Sequence, residues 1–298
     1  MEPVLFVSSG DAVEYELREV SDGQITQDSG PNALEYLDSD RLYPLAGPTY
    51  VQDAQQGDVL EIDILDTKAG DWGWSAIMPD FGLLQDEFDK PRLKIWDLSL
   101  NDQAFFREDI RVPIEPFCGT MGVAPADEAD LEVMPPGRHG GNMDLKHLIK
   151  GSTLFLPVWV EGGLFSLGDG HAAQGDGEVC GTAIEAPVHV KLRFKLRKNC
   201  RLNEPSAFVP SVSRTPSGEG YYVTLGRSPD LFDAAKSAVR QVVDHVSEEY
   251  GMQRWEAYML SSVATDLKIA EIVDRPYWIV SAFLPLSIFL KKNPLGKF

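Results

Sequence analysis

Apolar and polar positions alternate along much of the chain up to about residue 197, and this alternation predicts β-strands. In GDVLEIDILD, Leu60, Ile62 and Ile64 alternate with acidic residues, as in a strand with one wet face. In PVHVKLRFKLRK, the apolar positions from Val188 to Leu196 face one way, and the basic positions from His189 to Arg197 face the other. We expect a long strand there, with one buried face and one exposed basic face.

Two apolar runs in the middle of the chain, Leu154–Val160 and Leu164–Leu167, are separated by Gly162 and Gly163. Paired glycines between strand-like runs are typical of a tight turn, because glycine takes positive φ without a steric penalty. We therefore interpret the two runs as a β-hairpin. The glycine-rich stretch GDGHAAQGDGE, residues 168–178, is then expected on a loop at the end of that hairpin.

Helical spacing appears only late in the sequence. Apolar residues from Leu231 to Val246 recur with a helical period, with Ser228 as a candidate N-cap and Gly251 as a stop. A second helix is expected from about Gln253 to Thr265, followed by a strand-like run from Tyr277 to Phe289. The C-terminal part should therefore combine helices with strands.

This order of elements predicts a mainly β protein, with a body that is a β-sandwich or jelly roll and an α+β C-terminal part. We expect residues 1–200 to form the β-rich body that carries the active-site loops, and residues 201–298 to form the C-terminal part. The boundary is expected in RLNEPSAFVPSVSRTPSGEG, which is rich in proline and serine.

Charge and composition narrow the possible partners. The chain has 46 acidic and 27 basic residues and a formal net charge of −19, which repels nucleic acid and anionic membranes. No segment approaches the roughly 18 consecutive apolar residues of a membrane span, and the N-terminus lacks the features of a signal peptide. Three cysteines cannot all pair within one chain. We expect a soluble, cytoplasmic protein with reduced thiols.

Three glycine-containing segments carry the residues best suited to chemistry, namely residues 115–125, 134–147 and 168–178. A histidine and several carboxylates within ten residues match the ligands of a divalent cation, which lowers the pKa of its water. A nearby carboxylate can then transfer the proton. The alternative is a solvated turn, because Gly-Asp-Gly is a common turn sequence and the spacing matches neither HExxH nor an EF-hand.

Other local motifs give weaker signals. The glycine-rich stretches lack the GxxxxGK[ST], GxGxxG and GxSxG patterns, which disfavours nucleotide binding and a serine hydrolase. Cys180 and Cys118 are alternative nucleophiles, although a cysteine in a strand is usually a small core residue. His189 is expected to be solvated on its strand, and His245 is expected at the surface of its helix.

Longer strings of the sequence resemble the acetamidase/formamidase family. They are GPTYVQDAQQGDVLEIDILD, WGWSAIMPDFGLL, EPFCGTMGVAP and MPPGRHGGNMDLKHLIKGSTLFLPVWVEGGLFSLGDGHAAQGDGEVCGTAIE. The resemblance covers roughly residues 45 to 298 and is weaker after residue 200. It implies hydrolysis of formamide or acetamide to the carboxylic acid and ammonia, a β-rich fold and homo-oligomers. It also implies a divalent metal, reported for some members as zinc with calcium.

The resemblance also carries a set of family motif residues, which are Asn142, Asp144, Asp169, His171, Gln174, Asp176 and Glu178. We assign metal binding to Asp144, Asp169 and His171. Asp169 and His171 are two residues apart, so an extended segment presents both on one face. We expect this metal to activate the attacking water.

The remaining motif residues are given roles around the substrate. We assign general acid/base catalysis to Glu178. His139, Asn142 and Gln174 are expected to position the amide or to stabilise the oxyanion. Asp176 is either a supporting residue or part of a turn.

Two other interpretations stay open at this point. One is an amidase that uses Cys180 or Cys118 as its nucleophile. The other is a non-catalytic β-sandwich that binds a small amide or a carbohydrate. The candidate walls of a small pocket, which serve equally well as core residues, are Phe117, Met121, Phe165 and the segment Trp72–Trp74.

Overall fold

The computed structural model describes residues 2–126, 132–200, 202–210 and 220–289. Most of its regular structure is β-strand, as the alternating pattern predicts. The elements are β1 (Leu5–Val7), β2 (Ala12–Leu17), β3 (Ala46–Val51), β4 (Val59–Ala69), β5 (Trp72–Ile77), β6 (Arg92–Asp97), β7 (Gln103–Arg107), β8 (Ile110–Pro113), β9 (Phe117–Gly122), β10 (Gly140–Asn142), β11 (Thr153–Pro157), β12 (Phe165–His171), β13 (Val188–Arg197), β14 (Ser206–Val209), β15 (Tyr221–Ser228), α1 (Leu231–Tyr250), α2 (Arg254–Ala264), β16 (Asp266–Glu271) and β17 (Trp278–Pro285).

Two sheets form the body of the molecule. The smaller sheet has the strand order β1-β3-β12-β9-β10, and the larger has the order β16-β17-β15-β14-β11-β4-β13-β2. One hydrophobic core unites them, with Met121 and Phe165 from the smaller sheet and Ile62, Leu154 and Phe194 from the larger. The Phe165 and Phe194 rings meet edge to face with centroids 5.3 Å apart. The predicted fold class, a mainly β protein with a sandwich-like body and an α+β C-terminal part, is therefore confirmed.

The alternation predicted for β13 is present in the structure. Val190, Leu192 and Phe194 are buried on one face, and the polar residues between them are more exposed. The basic face is also neutralised by acids from the neighbouring strands, because Lys195 Nζ lies 2.9 Å from Glu61 Oε1. Glu61 is consequently buried although it lies on the polar side of β4.

The predicted hairpin between β11 and β12 is wrong. β11 pairs with β14 and β4 in the larger sheet, whereas β12 pairs with β3 and β9 in the smaller one. Gly162 and Gly163 do turn the chain, with φ of 75° and 67°, but they carry it from one sheet to the other. The paired glycines determine that the chain turns. Strands distant in sequence determine which strands β11 and β12 pair with. Gly168–His171 is correspondingly the end of β12 and not a loop.

Helix α1 covers the outer face of the larger sheet. It begins after Asp230, whose side chain accepts a hydrogen bond from Asp233 N, so Ser228 is not the N-cap. It ends at Gly251 in the left-handed conformation, as predicted. Its buried stripe includes Ala234 and packs against β15 and β17. Among the described residues, neither helix has the length and apolar content that a membrane span needs.

The predicted boundary region contains a strand of the larger sheet. Ser206–Val209 forms β14, which pairs with β11 on one side and β15 on the other. Residue 201 and residues 211–219 of this region lie outside the described residues. The larger sheet takes strands from both sides of residue 200. The division at residue 200 stays a proposal about the chain's organisation.

Candidate active site

The candidate site lies where β9, β10 and β12 run side by side. Gly119 of β9 lies at its centre, because a Cβ there would collide with carboxylate oxygens of Asp169 and Asp144. Its carbonyl oxygen accepts hydrogen bonds from the backbone nitrogens of Met143, at 3.0 Å, and Asp144, at 3.2 Å. Glycine at position 119 therefore lets acids from two separate segments approach each other.

Three acids of the site have a strained backbone. Asp144, Asp169 and Glu178 have φ of 45°, 54° and 46°, in the left-handed region that non-glycine residues seldom adopt. Such a conformation costs on the order of 1 kcal/mol or more for each residue. The surrounding fold must stabilise these conformations, and strain of this kind concentrates at functional sites.

His171 lies at the centre of a group that we name the His171 cluster, consisting of Asp144, Asp169, His171, Glu178 and Glu185. Its Nε2 atom lies 3.2 Å from Asp169 Oδ1, 3.1 Å from Glu185 Oε2 and 4.0 Å from Glu178 Oε1. Its Nδ1 atom lies 3.7 Å from Asp144 Oδ1. All five residues are buried. Carboxylate groups gathered at one buried point are costly unless they are paired with a cation or take up protons.

Gln174 fixes which nitrogen of His171 carries the proton. Gln174 Nε2 donates to the carbonyl oxygen of Asp144 at 3.0 Å, so its Oε1 faces His171 Nδ1 at 2.9 Å. An amide oxygen only accepts hydrogen bonds, so Nδ1 must hold a proton. In a neutral imidazole this leaves the lone pair on Nε2, next to Asp169 and Glu185. Metal-binding histidines are oriented by their other nitrogen in the same way.

Several buried atoms of the cluster lack hydrogen-bond partners among the described residues. They are both carboxylate oxygens of Asp144, Nε2 of His171 and Oε2 of Glu185. Two overlapping sets, Asp144–His171–Glu178 and Asp169–His171–Glu185, each offer ligand atoms within 4.8 Å of one another. The unpartnered atoms and the space above Gly119 fit a divalent cation.

The electrostatics of the cluster agree with this geometry. Burial raises the pKa of Asp144 well above its usual range, and the nearby Glu178 and Asp169 raise it further. Burial likewise raises the pKa of Glu178 and of Glu185. Burial lowers the pKa of His171, but Asp169 and Glu185 outweigh this effect and hold it well above the usual value. Without a cation the cluster retains protons, and a divalent ion would displace them.

A second buried acidic pair supports the site from the C-terminal part. Asp274 Oδ2 accepts a hydrogen bond from Asn142 Nδ2 at 2.8 Å, and Asn142 Oδ1 accepts one from Thr120 Oγ1 at 2.6 Å. Glu271 Oε1 accepts from Asp274 N at 2.8 Å and so holds the Asp274 backbone. Burial raises the pKa of Asp274 to about 7 and that of Glu271 to about 8. Asn142 thus connects the segment of residues 140–144 to Asp274, which lies near the C-terminus.

Sequence reasoning missed Glu185, Asp274, Glu271 and Tyr43. Each of the three acids follows an apolar run, in GTAIE, KIAE and EIVD, and a charged residue ending an apolar run was a usable signal. Tyr43, with φ of 57°, precedes residue 45, from which the resemblance of the sequence to the family was taken to begin. Burial raises its pKa well above the usual value, as do the carboxylates of the site, Asp169 first among them.

The other predicted site residues lie around the cluster. His139 lines a separate cleft with Trp159 and Arg227. Its catalytic assignment, like the others, stays a prediction. Asp176 is partly exposed and pairs with Lys146 at 3.2 Å, at the periphery of the site. His189 is partly exposed near Glu14, as expected, whereas His245 is half-buried and stacks on Tyr222.

The candidate nucleophiles and pocket walls are also located. Cys118 is buried on β9, and burial raises the pKa of its thiol to about 12. Cys180 is half-buried, with its Sγ 3.4 Å from the Thr182 carbonyl oxygen. The Phe117 ring packs edge to face against His171, with centroids 5.1 Å apart. Met121 and Phe165 belong to the core between the sheets.

Comparison with known proteins identifies the family. The model of the Acetamidase/Formamidase family matches residues 1–134 and 127–291. The chain belongs to this family. The chain is 26% identical to a formamidase from Methylophilus methylotrophus, over 96% of this chain and 86% of that protein. It is 29% identical to an acetamidase from Mycolicibacterium smegmatis, over 64% of this chain and 63% of that protein.

Solved structures of family members extend the comparison to the fold. A crystal structure of an acetamidase from Bacillus halodurans matches with a TM-score of 0.89 and 32% identity, over 97% of this chain and 93% of that chain. A gamma lactamase from Delftia acidovorans, at 24% identity and a TM-score of 0.66, shares the fold alone. The expected family and the expected class, an amidohydrolase acting on linear amides, are confirmed.

Proposed function

We propose that this member of the acetamidase/formamidase family hydrolyses a short aliphatic amide, formamide or acetamide, to the carboxylic acid and ammonia. The observation that carries the proposal is the His171 cluster, in which buried carboxylates and one histidine leave ligand atoms unpartnered. A binding module needs only a pocket of the right shape. A set of uncompensated buried acids is costly to maintain and is typical of a catalytic site.

A divalent cation is part of this proposal. Asp169, Glu185 and Nε2 of His171 would hold it, and an Asp144 oxygen approaches the same point above Gly119. A set that mixes an imidazole nitrogen with carboxylates suits zinc, and an all-oxygen neighbour would suit calcium. Such an ion polarises a carbonyl oxygen and lowers the pKa of water.

The chain's own residues supply proton transfer and orientation. Glu178 would take a proton from the attacking water and pass it to the leaving nitrogen, since burial raises the pKa of its carboxyl and so makes the carboxylate a stronger base. Gln174 holds the imidazole of His171 in one tautomer. Asn142 uses one Nδ2 proton for Asp274 and has a second for the amide oxygen. The Phe117 ring, packed on His171, would limit the size of the acyl group.

The most direct experiment measures ammonia release from formamide, acetamide, propionamide and benzamide before and after metal removal. We expect turnover of the small amides, loss of activity on chelation and recovery when zinc is returned. Each methylene that does not fit should lower kcat/KM, by about 1–3 kcal/mol of discrimination. Metal-free protein with undiminished ammonia release would contradict the metal-dependent mechanism.

A pair of histidine variants adds a control. His171→Ala should lower metal content and activity together, because it removes a ligand from the cluster. His189→Ala, at a partly exposed histidine on β13, should leave both unchanged. Elemental analysis and ammonia release on the same samples make the comparison. A cytoplasmic homo-oligomer remains part of the proposal, and light scattering on purified protein tests its subunit number.

A further inference from the structure

A cleft beside the candidate active site is lined by residues whose hydrogen-bond donors no described residue uses. This His139 cleft, of about 520 Å³, is lined among others by Arg138, His139, Trp159, Arg227 and Tyr277. Nε of Arg227 and Nε1 of Trp159 are buried and have no hydrogen-bond partner among the described residues. Both groups can only donate, so the ligand that satisfies them must be an acceptor.

The charges around the cleft favour an anionic acceptor. Arg138 is engaged by Glu204, with Nε 3.4 Å from Oε1, and also donates to the Asn203 carbonyl oxygen at 3.1 Å. Glu204 interacts more strongly with Arg138 than with Arg227. The acid that itself lines the cleft, Glu132, is exposed. Arg227 is thus the less compensated of the two arginines.

Aromatic contacts hold the two arginines in place. Cζ of Arg227 lies 4.2 Å from the ring centroid of Tyr277, and Cζ of Arg138 lies 5.2 Å from that of Trp159. A guanidinium that lies over an aromatic ring can still present hydrogen-bond donors to a carboxylate. His139 is neutral at physiological pH, because burial and Arg227 lower its pKa to about 4.

Two short segments of the chain connect the cleft to the candidate active site. His139 directly precedes β10, which ends at Asn142, and three residues span at most about 11 Å. Tyr277 lies three residues after Asp274, the hydrogen-bond partner of Asn142. A small ligand in the cleft is therefore close to the amide that would be hydrolysed.

The geometry points to a carboxylate-binding site in the His139 cleft, formed by Arg227 and Trp159, for a small organic acid. Two sources supply such a carboxylate: the acid released by the hydrolysis, or an acidic group on the substrate itself. Naming these sources rests on the proposed function, whereas binding of the carboxylate does not.

The first experiment measures binding without turnover. Calorimetric titration of formate, acetate and succinate into metal-free protein should show binding, and acetamide should bind more weakly. Arg227→Gln and Trp159→Phe should each reduce carboxylate affinity about ten- to a hundredfold, since each removes a buried donor. Arg193→Gln, at an exposed arginine on β13, is the charge-matched control and should leave affinity unchanged. Trp159→Phe retains an aromatic ring if Arg227→Gln fails to fold.

The second experiment separates the two sources. If the product occupies the cleft, Arg227→Gln should raise the inhibition constant of acetate about tenfold or more without changing kcat/KM for acetamide. If the substrate carries the carboxylate, Arg227→Gln should lower kcat/KM for succinamate selectively. Carboxylate binding that needs the metal, or that is unaffected in both cleft variants, would overturn the proposal. Binding without any amide turnover would instead contradict the proposed hydrolysis alone.

Discussion

Two regions of this molecule bury carboxylates, but only one of them pairs these carboxylates with lysine and arginine side chains. On the face shared by β4 and β13, Glu61 is 4% exposed and is contacted by Lys195 and Arg197. In the His171 cluster, Asp144 is 1% exposed, and its nearest charged neighbours are other acids and one histidine. Glu61 therefore has basic partners, whereas Asp144 has only His171 among its acidic neighbours.

This difference follows from what the neighbouring strands supply. β13 places a basic residue opposite the acids of β4 at successive positions, so each charge meets its partner across the sheet. β9 supplies only Gly119 opposite Asp169. A buried acid without a partner costs stability unless a cation arrives or a proton is taken up. The acids of β4 therefore need no ligand, whereas the proposed cation would stabilise those of the His171 cluster.

The largest expected effect comes from removing Glu178, the proposed proton carrier of the His171 cluster. Glu178→Gln should lower kcat by about 10²–10⁴-fold while metal content is retained, which is the usual contribution of a positioned acid or base. Glu61→Gln should be fully active, because the paired region does not contact substrate. Steady-state ammonia release and elemental analysis on both variants make the test. A fully active Glu178→Gln variant would remove this residue from the mechanism.

A smaller effect, on the free energy of unfolding, is expected from disrupting the ion pairs that Glu61 makes with Lys195 and Arg197. Glu61→Gln should lower the free energy of unfolding by about 1–3 kcal/mol, because it weakens the charge-assisted hydrogen bonds that the buried Glu61 carboxylate accepts from Lys195 and Arg197. Glu14→Gln, which weakens an exposed pair with Lys191, should change it by less than about 1 kcal/mol. Chemical unfolding of the three proteins measures both differences. Equal losses in the two variants would argue against the burial of Glu61 as the cause.

In the His171 cluster, replacing a buried acid should instead raise the free energy of unfolding of the metal-free protein. Asp144→Asn should stabilise the metal-free protein by about 1 kcal/mol, because burial and the neighbouring acids raise the pKa of this carboxyl, so that folding at neutral pH must protonate it or bury its charge. Asparagine also tolerates the left-handed backbone at this position. With metal present, the same substitution should destabilise the protein, since a ligand is lost. Thermal unfolding with and without zinc tests this reversal, and the idea fails if both shifts have the same sign.

The smallest effect is expected at Cys180. Its thiol contacts Thr182, and Cys180→Ser should change kcat by less than about twofold, because packing changes at a half-buried site are usually modest. Ammonia release by the metal-loaded variant is the measurement. An inactive, folded Cys180→Ser variant with its metal intact would instead favour thiolate chemistry over the His171 cluster.

Local pattern in the sequence was enough to predict much of the fold. The alternation along β13 identified its buried face, and helical spacing identified α1 and its end at Gly251. These features depend on residues close in sequence, so a period of 2 or 3.6 reveals them. The same local information placed Asp169 and His171 on one extended segment, which the strand β12 contains.

The tertiary structure alone decided which segments meet. The sequence between β11 and β12 predicted a turn correctly but a hairpin wrongly, because pairing depends on strands more than 40 residues away. Glu185 and Asp274 join the site through His171 and Asn142 in the same non-local way. The sequence by itself determined the periodicities, the charge and the residue types available for chemistry. Their convergence around Gly119 was decided by sheet topology, because only the packed strands bring those carboxylates to one buried point.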